Sequence, residues 1–452
     1  MNSFLLNRQL GAISPRSLAQ AQNARLLAHL QPALDRFVLE APDSRATNEH
    51  LGTKDLAHAA GVASIAIDRF EGRYLISGGA DSSLATWDVE AAREADPLTH
   101  VPLAVSPRTS TRLSLGITHV SFYPFDSLAL LTSGYDATLK LFSSETLEAS
   151  ASFDLGSVVY SHATSDIASH LLVACASQHP AVRLIDLKSG SATHSLSGHA
   201  GSTLSVAWHP RDEHILASGA TDGVVRLWDV RRSASSLGVL DMEDSIGVPG
   251  YDGRGTGARR REKGRSHYGA VNGLSWTEDG KYLLSNGQDE RMRVWDMCTG
   301  ANTLVNFGPG LKNSTITAWN PLIAPSYLSA AGNEVVFYPN PKEILTFDLH
   351  TGTMESRLRV RGLPGSQNDA STKNPKTRAT SLAWRAHQVE LYSAHCDGTI
   401  RCWKPHTRED ILAERDDSDD VEADASAAER KRKREEFDDM VKNLTTKKIT
   451  FT

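Results

Sequence analysis

One spacing recurs along this chain and leaves few folds open to it: a cluster of small residues, an Asp in a turn, and an aromatic residue six positions after the Asp. Asp81 stands in this relation to Trp87 in SGGADSSLATWD, Asp136 to Phe142 in TSGYDATLKLF, and Asp222 to Trp228 in ASGATDGVVRLWD. Asp289 and Trp295 repeat it in SNGQDERMRVWD, as do Asp397 and Trp403 in SAHCDGTIRCW. Two more copies keep the register without the Asp, His179 to Ile185 in ASQHPAVRLID and Gly332 to Tyr338 in AAGNEVVFY. The last residues of the copies fall at 87, 142, 185, 228, 295, 338 and 403, and three of the six gaps are 43. Self-similarity at such a period marks a repeat architecture, in which no unit buries its apolar face alone.

Each copy reads as strands. Upstream lie short apolar or alternating segments (VASIAID, ITHVSFYP, TLSVAWHP, VNGLSWT, TSLAWR), then a second strand entering the turn (YLISGG, LALLTSG, ILASGA, YLLSNG, LYSAH). A third strand leaves the turn with the aromatic residue, so each pair forms a hairpin. Three such strands and a less regular fourth make one blade of a β-propeller. Seven copies predict an all-β, seven-bladed propeller. Its first and last blades must be joined or both expose an edge, and FVLEA, 37–41, is the expected closing strand of the seventh blade.

Composition narrows the function. The chain is 40 % apolar and 23 % charged, as globular proteins are. No segment approaches the roughly 20 apolar residues of a membrane span, and MNSFLLNRQLG lacks a signal peptide's apolar core. Four cysteines without a CxxC pair suit a reducing compartment and argue against structural zinc. The 17 histidines show no HExxH or similar spacing, so neither metal nor cofactor is expected. A net charge of −6 does not suit a general nucleic-acid binder, so direct nucleic-acid binding is not the expectation.

Three parts fall outside the repeat. Residues 1–36 read as helical: Ser14 suits an N-cap, Pro15 the first helical position, and Leu18, Ala21, Arg25 and Leu26 lie at helical spacing. NSFLLNRQLG before it is a short helix or hook ending at Gly11. Within the propeller, 37–408, residues 241–266 form an insertion rich in Gly and charge, expected to be a disordered loop. Its GYDGRGTG run lacks the Lys-Ser/Thr of a phosphate-cradling loop. Its Arg254, Arg259, Arg260, Arg261 and Arg265 suit an acidic partner or nucleic acid, and 362–378 is a second loop of like character. The tail, 409–452, holds an acidic run at 416–424, which should be disordered. Arg430, Lys431, Arg432, Lys433 and Arg434 then resemble a nuclear-import signal, with a mixed-charge helix the alternative, so the expected location is the nucleus.

The fourth copy resembles the WD-repeat propellers: Gly198-His199 opens it and Trp228-Asp229 closes its third strand. The other copies show the pattern more weakly, chiefly because the Gly-His is missing. The resemblance implies that His199, Ser218, Asp222 and Trp228 form a buried hydrogen-bond network tying the turn to its neighbour. Ser, His and Asp could also make a hydrolase triad. There is no GxSxG elbow, however, and a repeating Asp-to-Trp register is structural, so no catalytic residue and no enzyme is expected.

That copy ends in LWDVRR, whereas five of the others end TWDVEA, LFSSET, LIDLKS, VWDMCT and CWKPHT. Trp228, Asp229 and Arg231 are similar to the WDxR motif of WD-repeat substrate receptors of cullin-4 RING ubiquitin ligases, and Arg232 extends the basic pair. Such receptors dock on the ligase's adaptor protein, the closest binders with an N-terminal helical segment in an adaptor groove. The likeness narrows to the Cockayne syndrome group A receptors of transcription-coupled nucleotide excision repair. It runs through FLLNRQLG, EGRYLISGGADS, VYSHATS, VRLIDLKSGSATHSLSGH, ILASGATDGVVRLWDVRR and NGQDERMRVWDMCTGANTLVNFG, roughly residues 1–405. The 241–266 insertion and the tail depart from it.

The resemblance implies a non-catalytic receptor. Phe4, Leu5, Arg8, Gln9, Leu18, Arg25 and Leu26 of the extension, with Trp228, Asp229, Arg231 and Arg232, would bind the adaptor. It implies as partners the adaptor, cullin-4 and the RING subunit, a Swi2/Snf2-type repair ATPase of the Cockayne syndrome group B type, and RNA polymerase II. The alternative is a WD-repeat scaffold for a nuclear chromatin or RNA-processing complex without a ligase.

Overall fold

Seven four-stranded antiparallel sheets succeed one another along the chain in the computed structural model. It describes residues 2–12, 14–39, 56–91, 98–106, 115–232, 236–244, 264–329, 332–359 and 377–407. Blades 1 to 6 occupy 62–106, 117–154, 159–196, 203–240, 271–302 and 322–358. Blade 7 is built from Ala379–Trp384, Leu391–His395 and Ile400–Pro405, closed by Leu30–Pro32. The compact unit is Met1–Lys404, and 405–452 form a separate unit. No helix among the described residues is long and apolar enough to cross a membrane.

The core lies between blades. Seven apolar clusters occupy the seven seams between neighbouring blades. In blade 4 the third strand, Val225–Asp229, puts Trp228 into the seam with blade 3, against Ala174, Leu184 and Leu196. Trp87, Phe142, Ile185, Trp295 and Trp403 each pack in the same way on the preceding blade. The six-residue spacing therefore encodes a strand leaving its turn and returning one large side chain to a fixed depth in the seam. The turn is tight: Gly223, after Asp222, has φ +77°, and a Cβ there would lie 2.5 Å from the His267 carbonyl.

Two expectations are corrected. Gly332 to Tyr338 is not the third-strand register of blade 6. Tyr338 lies in the second strand, Val335–Pro339, which pairs with Leu322–Ile323 on one side and with the third strand, Ile344–Asp348, on the other. Phe347 holds the aromatic position, opposite Val336 as Trp295 is opposite Leu283 in blade 5. The 43-residue spacing at that copy is a coincidence. AAGNE imitates the turn, while the turn itself is a Pro-Asn corner closed by Asn340 N–H to Glu343 O at 2.9 Å.

The closing strand is Leu30–Pro32, not 37–41. Leu30 is buried in the blade 6–7 seam, and Ala33 N donates to Cys402 O at 2.9 Å. Phe37 plugs the next seam, edge-on to Trp87 at 5.4 Å and stacked on His100 at 4.8 Å. Its short strand, Arg36–Phe37, pairs in parallel with Thr99–His100. The apolar run 37–39 seals the ring and forms no strand of blade 7.

Ahead of the closing strand run two helices, α1 (Asn2–Gln9) and α2 (Pro15–Leu27). The Ser14 hydroxyl accepts the N–H of Ser17 at 3.2 Å, capping α2, with Pro15 in its first turn. Leu18 and Leu27 are buried. Asn23 donates to the Tyr327 carbonyl at 3.1 Å and Gln20 to the Ser329 carbonyl at 3.2 Å.

Candidate partner-docking face

Blade 4 brings four of the sequence-derived residues together. His199 Nε2 meets Ser218 Oγ at 2.7 Å, His199 Nδ1 meets Asp222 Oδ2 at 3.1 Å, and Trp228 Nε1 donates to Ser218 Oγ at 2.7 Å. Burial pushes the Asp222 carboxyl up, but the bond and charge of His199 and two backbone N–H groups outweigh it and hold it below its usual range. Ser218 is fully buried with its hydroxyl already engaged by an indole and an imidazole, so a triad here has no nucleophile that a substrate can reach.

The same network stands in blades 1 and 5, where the missing Gly-His concealed it from sequence reasoning. His58 joins Ser77 and, through Ser83, Asp81. His267 joins Ser285 and Asp289. Trp87 and Trp295 donate to Ser77 and Ser285 at 2.8 Å. Ala57 and Ser266 stand where blade 4 has its Gly198, and the His-to-Asp interval, 23 residues in blades 1 and 4 and 22 in blade 5, is the signal that finds them. Among the described residues no cluster of His, Cys, Asp or Glu could hold a metal ion.

At the far end of the same strand, Asp229 organises the arginine pair. Its carboxylate, 7 % exposed, accepts Arg231 Nε at 3.0 Å, Arg231 Nη2 at 2.9 Å and the Arg231 backbone N–H at 3.0 Å. Arg232 Nε lies 3.7 Å away. The Arg231 hydrogen bonds hold the Asp229 carboxyl at about 2, and Asp229 in turn raises the guanidinium, with Asp212 and Glu213 adding to it. One edge of the fork is thus fixed, while the Arg231 side chain stays 62 % exposed. Such an arginine offers its remaining N–H groups to a carbonyl or carboxylate from outside with little rotamer freedom left to lose. Trp228 is fully buried and supports this arrangement without touching the surface, which corrects its place among the contact residues.

Helix α2 lies on the same rim. In an antiparallel blade, the first-to-second and third-to-fourth connections emerge at one end. Arg231 sits in the third-to-fourth connection of blade 4, and the carbonyls that hold α2, Tyr327 and Ser329, sit in the first-to-second connection of blade 6. Arg8, Gln9 and Arg25 are exposed and Leu26 is half-buried. Leu18 is buried within the chain itself, so it anchors α2 and is not offered to a partner, a correction to the expected set. Phe4 and Leu5 lie in α1, and their side chains fall outside the described residues. Sequence reasoning passed over Leu6 and Leu10, 58 % and 73 % exposed. It also passed over Phe70, Phe125 and Ile167, exposed apolar side chains in the first-to-second connections of blades 1, 2 and 3. An apolar residue in such a connection was the available signal.

The basic tail cluster 430–434 and Arg254, Arg259, Arg260 and Arg261 lie outside the described residues. The expected disorder of 241–266 is corrected at both ends. Asp241 and Ser266 are buried and Met242 N donates to Arg265 O at 3.0 Å, because the Ser266 hydroxyl has to bridge Leu240 O and Val225 N.

The chain matches the WD domain, G-beta repeat family over residues 190–229 and 261–296. It is 30 % identical over 413 residues to the WD repeat-containing protein ATCSA-1 of Arabidopsis thaliana, covering 77 % of this chain and 86 % of that protein. It is 29 % identical over 103 residues to the DDB1- and CUL4-associated factor 13 of Dictyostelium discoideum, 23 % of this chain and 18 % of that protein. It is 27 % identical over 264 residues to the ribosome biogenesis protein WDR12 homolog of Aedes aegypti, 53 % of this chain and 52 % of that protein.

Proposed function

The chain belongs to the WD-repeat family, and from that premise we propose that it is a non-catalytic substrate receptor of a cullin-4 RING ubiquitin ligase. On this reading it is of the Cockayne syndrome group A type and acts in the nucleus, in transcription-coupled nucleotide excision repair. The observation that carries the reading is Arg231, clamped by Asp229 yet exposed, on the rim that also holds α2 of the N-terminal segment. The likeness to ATCSA-1 over 77 % of the chain supports it, as does the CUL4 association in the name of a second relative.

In this role the adaptor takes the rim. Leu6 of α1 and Leu10 just after it fill a groove, and the Arg231 fork pairs with a carbonyl or carboxylate beside it. The propeller then holds a target near the ubiquitin-charged RING subunit, at RNA polymerase II stalled with a Swi2/Snf2-type ATPase. The test is capture of the purified adaptor by the wild type, by Arg231→Glu and by a deletion of residues 2–12. Deleting 1–34 is unsuitable because it removes the closing strand Leu30–Pro32. Severe loss is expected for the deletion and partial loss for the point change. Full retention by both contradicts the reading.

A ligase-free scaffold for a nuclear chromatin or RNA-processing complex is favoured by the similarity to a ribosome biogenesis protein over 53 % of the chain. It predicts that affinity purification of the native complex brings down neither adaptor nor cullin-4.

A further inference from the structure

Among the described residues, blade 5 lacks the outer part of its fourth strand. The third strand, Arg291–Asp296, pairs with the two-residue strand Ala301–Asn302 only at Trp295 and Asp296, plus one bond from Thr303 N to Val294 O at 3.0 Å. In blade 4 the same pairing extends through Val225↔Leu240 to the turn end of the third strand. In blade 5 the chain turns away instead: Leu304 takes φ +60°, a conformation a leucine seldom adopts, fixed by its N–H to Asn302 Oδ1 at 3.0 Å. Because Val294 turns its carbonyl to Thr303, the alternation of the strand turns the N–H and C=O of Met292 to the same side, where no fourth strand among the described residues meets them.

A cleft of about 410 Å³ lies there, lined by Met292, Phe307 and Leu311 beneath and by Tyr268, Leu304 and Arg291 at its mouth. Tyr268 is 72 % and Leu304 61 % exposed, large apolar surfaces. Arg293 is committed to Asp289 at 2.9 Å, whereas the exposed Arg291 guanidinium has no partner among the described residues. The NTLVNFG stretch, which the repeat does not require, forms one wall.

We propose that this cleft receives an extended peptide from a partner protein, which completes blade 5 by strand addition. Its backbone pairs with Met292, a large apolar side chain sits between Tyr268 and Leu304, and a carboxylate two residues away meets Arg291. Strand addition supplies affinity from main-chain bonds and selectivity from alternate side chains. The missing strand length calls for an extended occupant, and Arg291, without a partner among the described residues, favours a carboxylate on it, placed away from Glu243 on the cleft lining. The site lies at the turn end of the blade, opposite the rim that carries Arg231, so it stands independently of the ligase reading.

The test uses the full chain and fluorescein-labelled octapeptides that alternate Thr with Glu, Leu or Phe, followed by fluorescence anisotropy. Saturable binding is expected below about 1 mM, weakened by about tenfold or more on N-methylation of the peptide's central amides, on replacing Glu by Lys, or in Arg291→Glu. Leu304→Asp should weaken it similarly with an unchanged melting temperature, and neither variant should alter adaptor capture. Absence of saturable binding by every peptide, or binding indifferent to N-methylation, overturns the proposal. Self-association of the chain abolished by Leu304→Asp would assign the cleft to a second copy and overturn it as well.

Discussion

Asp229 and Ser218 show how one strand divides its residues between fold and surface. Ser218 joins two buried donors, so Ser218→Ala leaves the indole of Trp228 and the imidazole of His199 short of a partner. Urea denaturation should show a loss of about 1–3 kcal/mol with adaptor capture unchanged. A loss of capture at constant stability would place the network in function instead. Asp229 acts outward. Asp229→Asn weakens the clamp on Arg231 without removing the arginine, so adaptor affinity should fall less than in Arg231→Glu. In a double-mutant cycle the two changes should be non-additive. Legibility differed at this scale for a physical reason. Blade 4 spells its network as Gly-His and Trp-Asp, whereas His58 and His267 do the same work after Ala57 and Ser266. The hydrogen bonds need the imidazole, and the residue before it is free to vary.

At the scale of the element, the strands that carry large seam residues were readable and the short ones were not. Leu30–Pro32 is three residues long and pairs along an edge already formed, so it needs little pattern of its own. Blade 6 kept its apolar strands but lost the Asp turn, and the register slipped onto Tyr338 because AAGNE resembles a turn. Rim exposure depends on how α2 is seated, which no periodicity in the sequence reports: Leu18 and Leu26 look alike there, yet one is buried and the other is half-exposed. Closure by three residues makes a prediction. A chain lacking residues 1–34 should melt well below the wild type, whereas one lacking 2–12 should melt with it. Equal melting of the two would remove Leu30–Pro32 from the closure.

Across the whole molecule, stability should depend on pH through buried imidazoles. Burial lowers His119 and His395 to about 4, with Arg401 adding at His395. Burial also lowers His162, with the charge of His119 adding, and His267 despite Asp289. Each folded value lies below the unfolded value near 6.5. The folded state therefore binds fewer protons, and stability falls as pH drops from about 6.5 toward 4, by up to about 1.4 kcal/mol per unit for each neutral histidine. The clamped carboxylates, Asp229 among them, lose their contribution only below about pH 4. Urea midpoints at pH 7, 6 and 5 should decline, less steeply in His119→Gln, and a flat profile contradicts the assignment.

The propeller thus presents two distinct ends, one carrying α2 and a clamped arginine, the other, among the described residues, a shortened fourth strand. The most direct test of the first is calorimetric titration of the purified adaptor into the full chain. Arg231→Glu should weaken binding by about tenfold, roughly 1.4 kcal/mol, deletion of 2–12 should remove it, and Arg291→Glu should leave it unchanged. Wild-type affinity in both Arg231→Glu and the deletion, with loss in Arg291→Glu, would contradict this and move the docking face to the opposite rim.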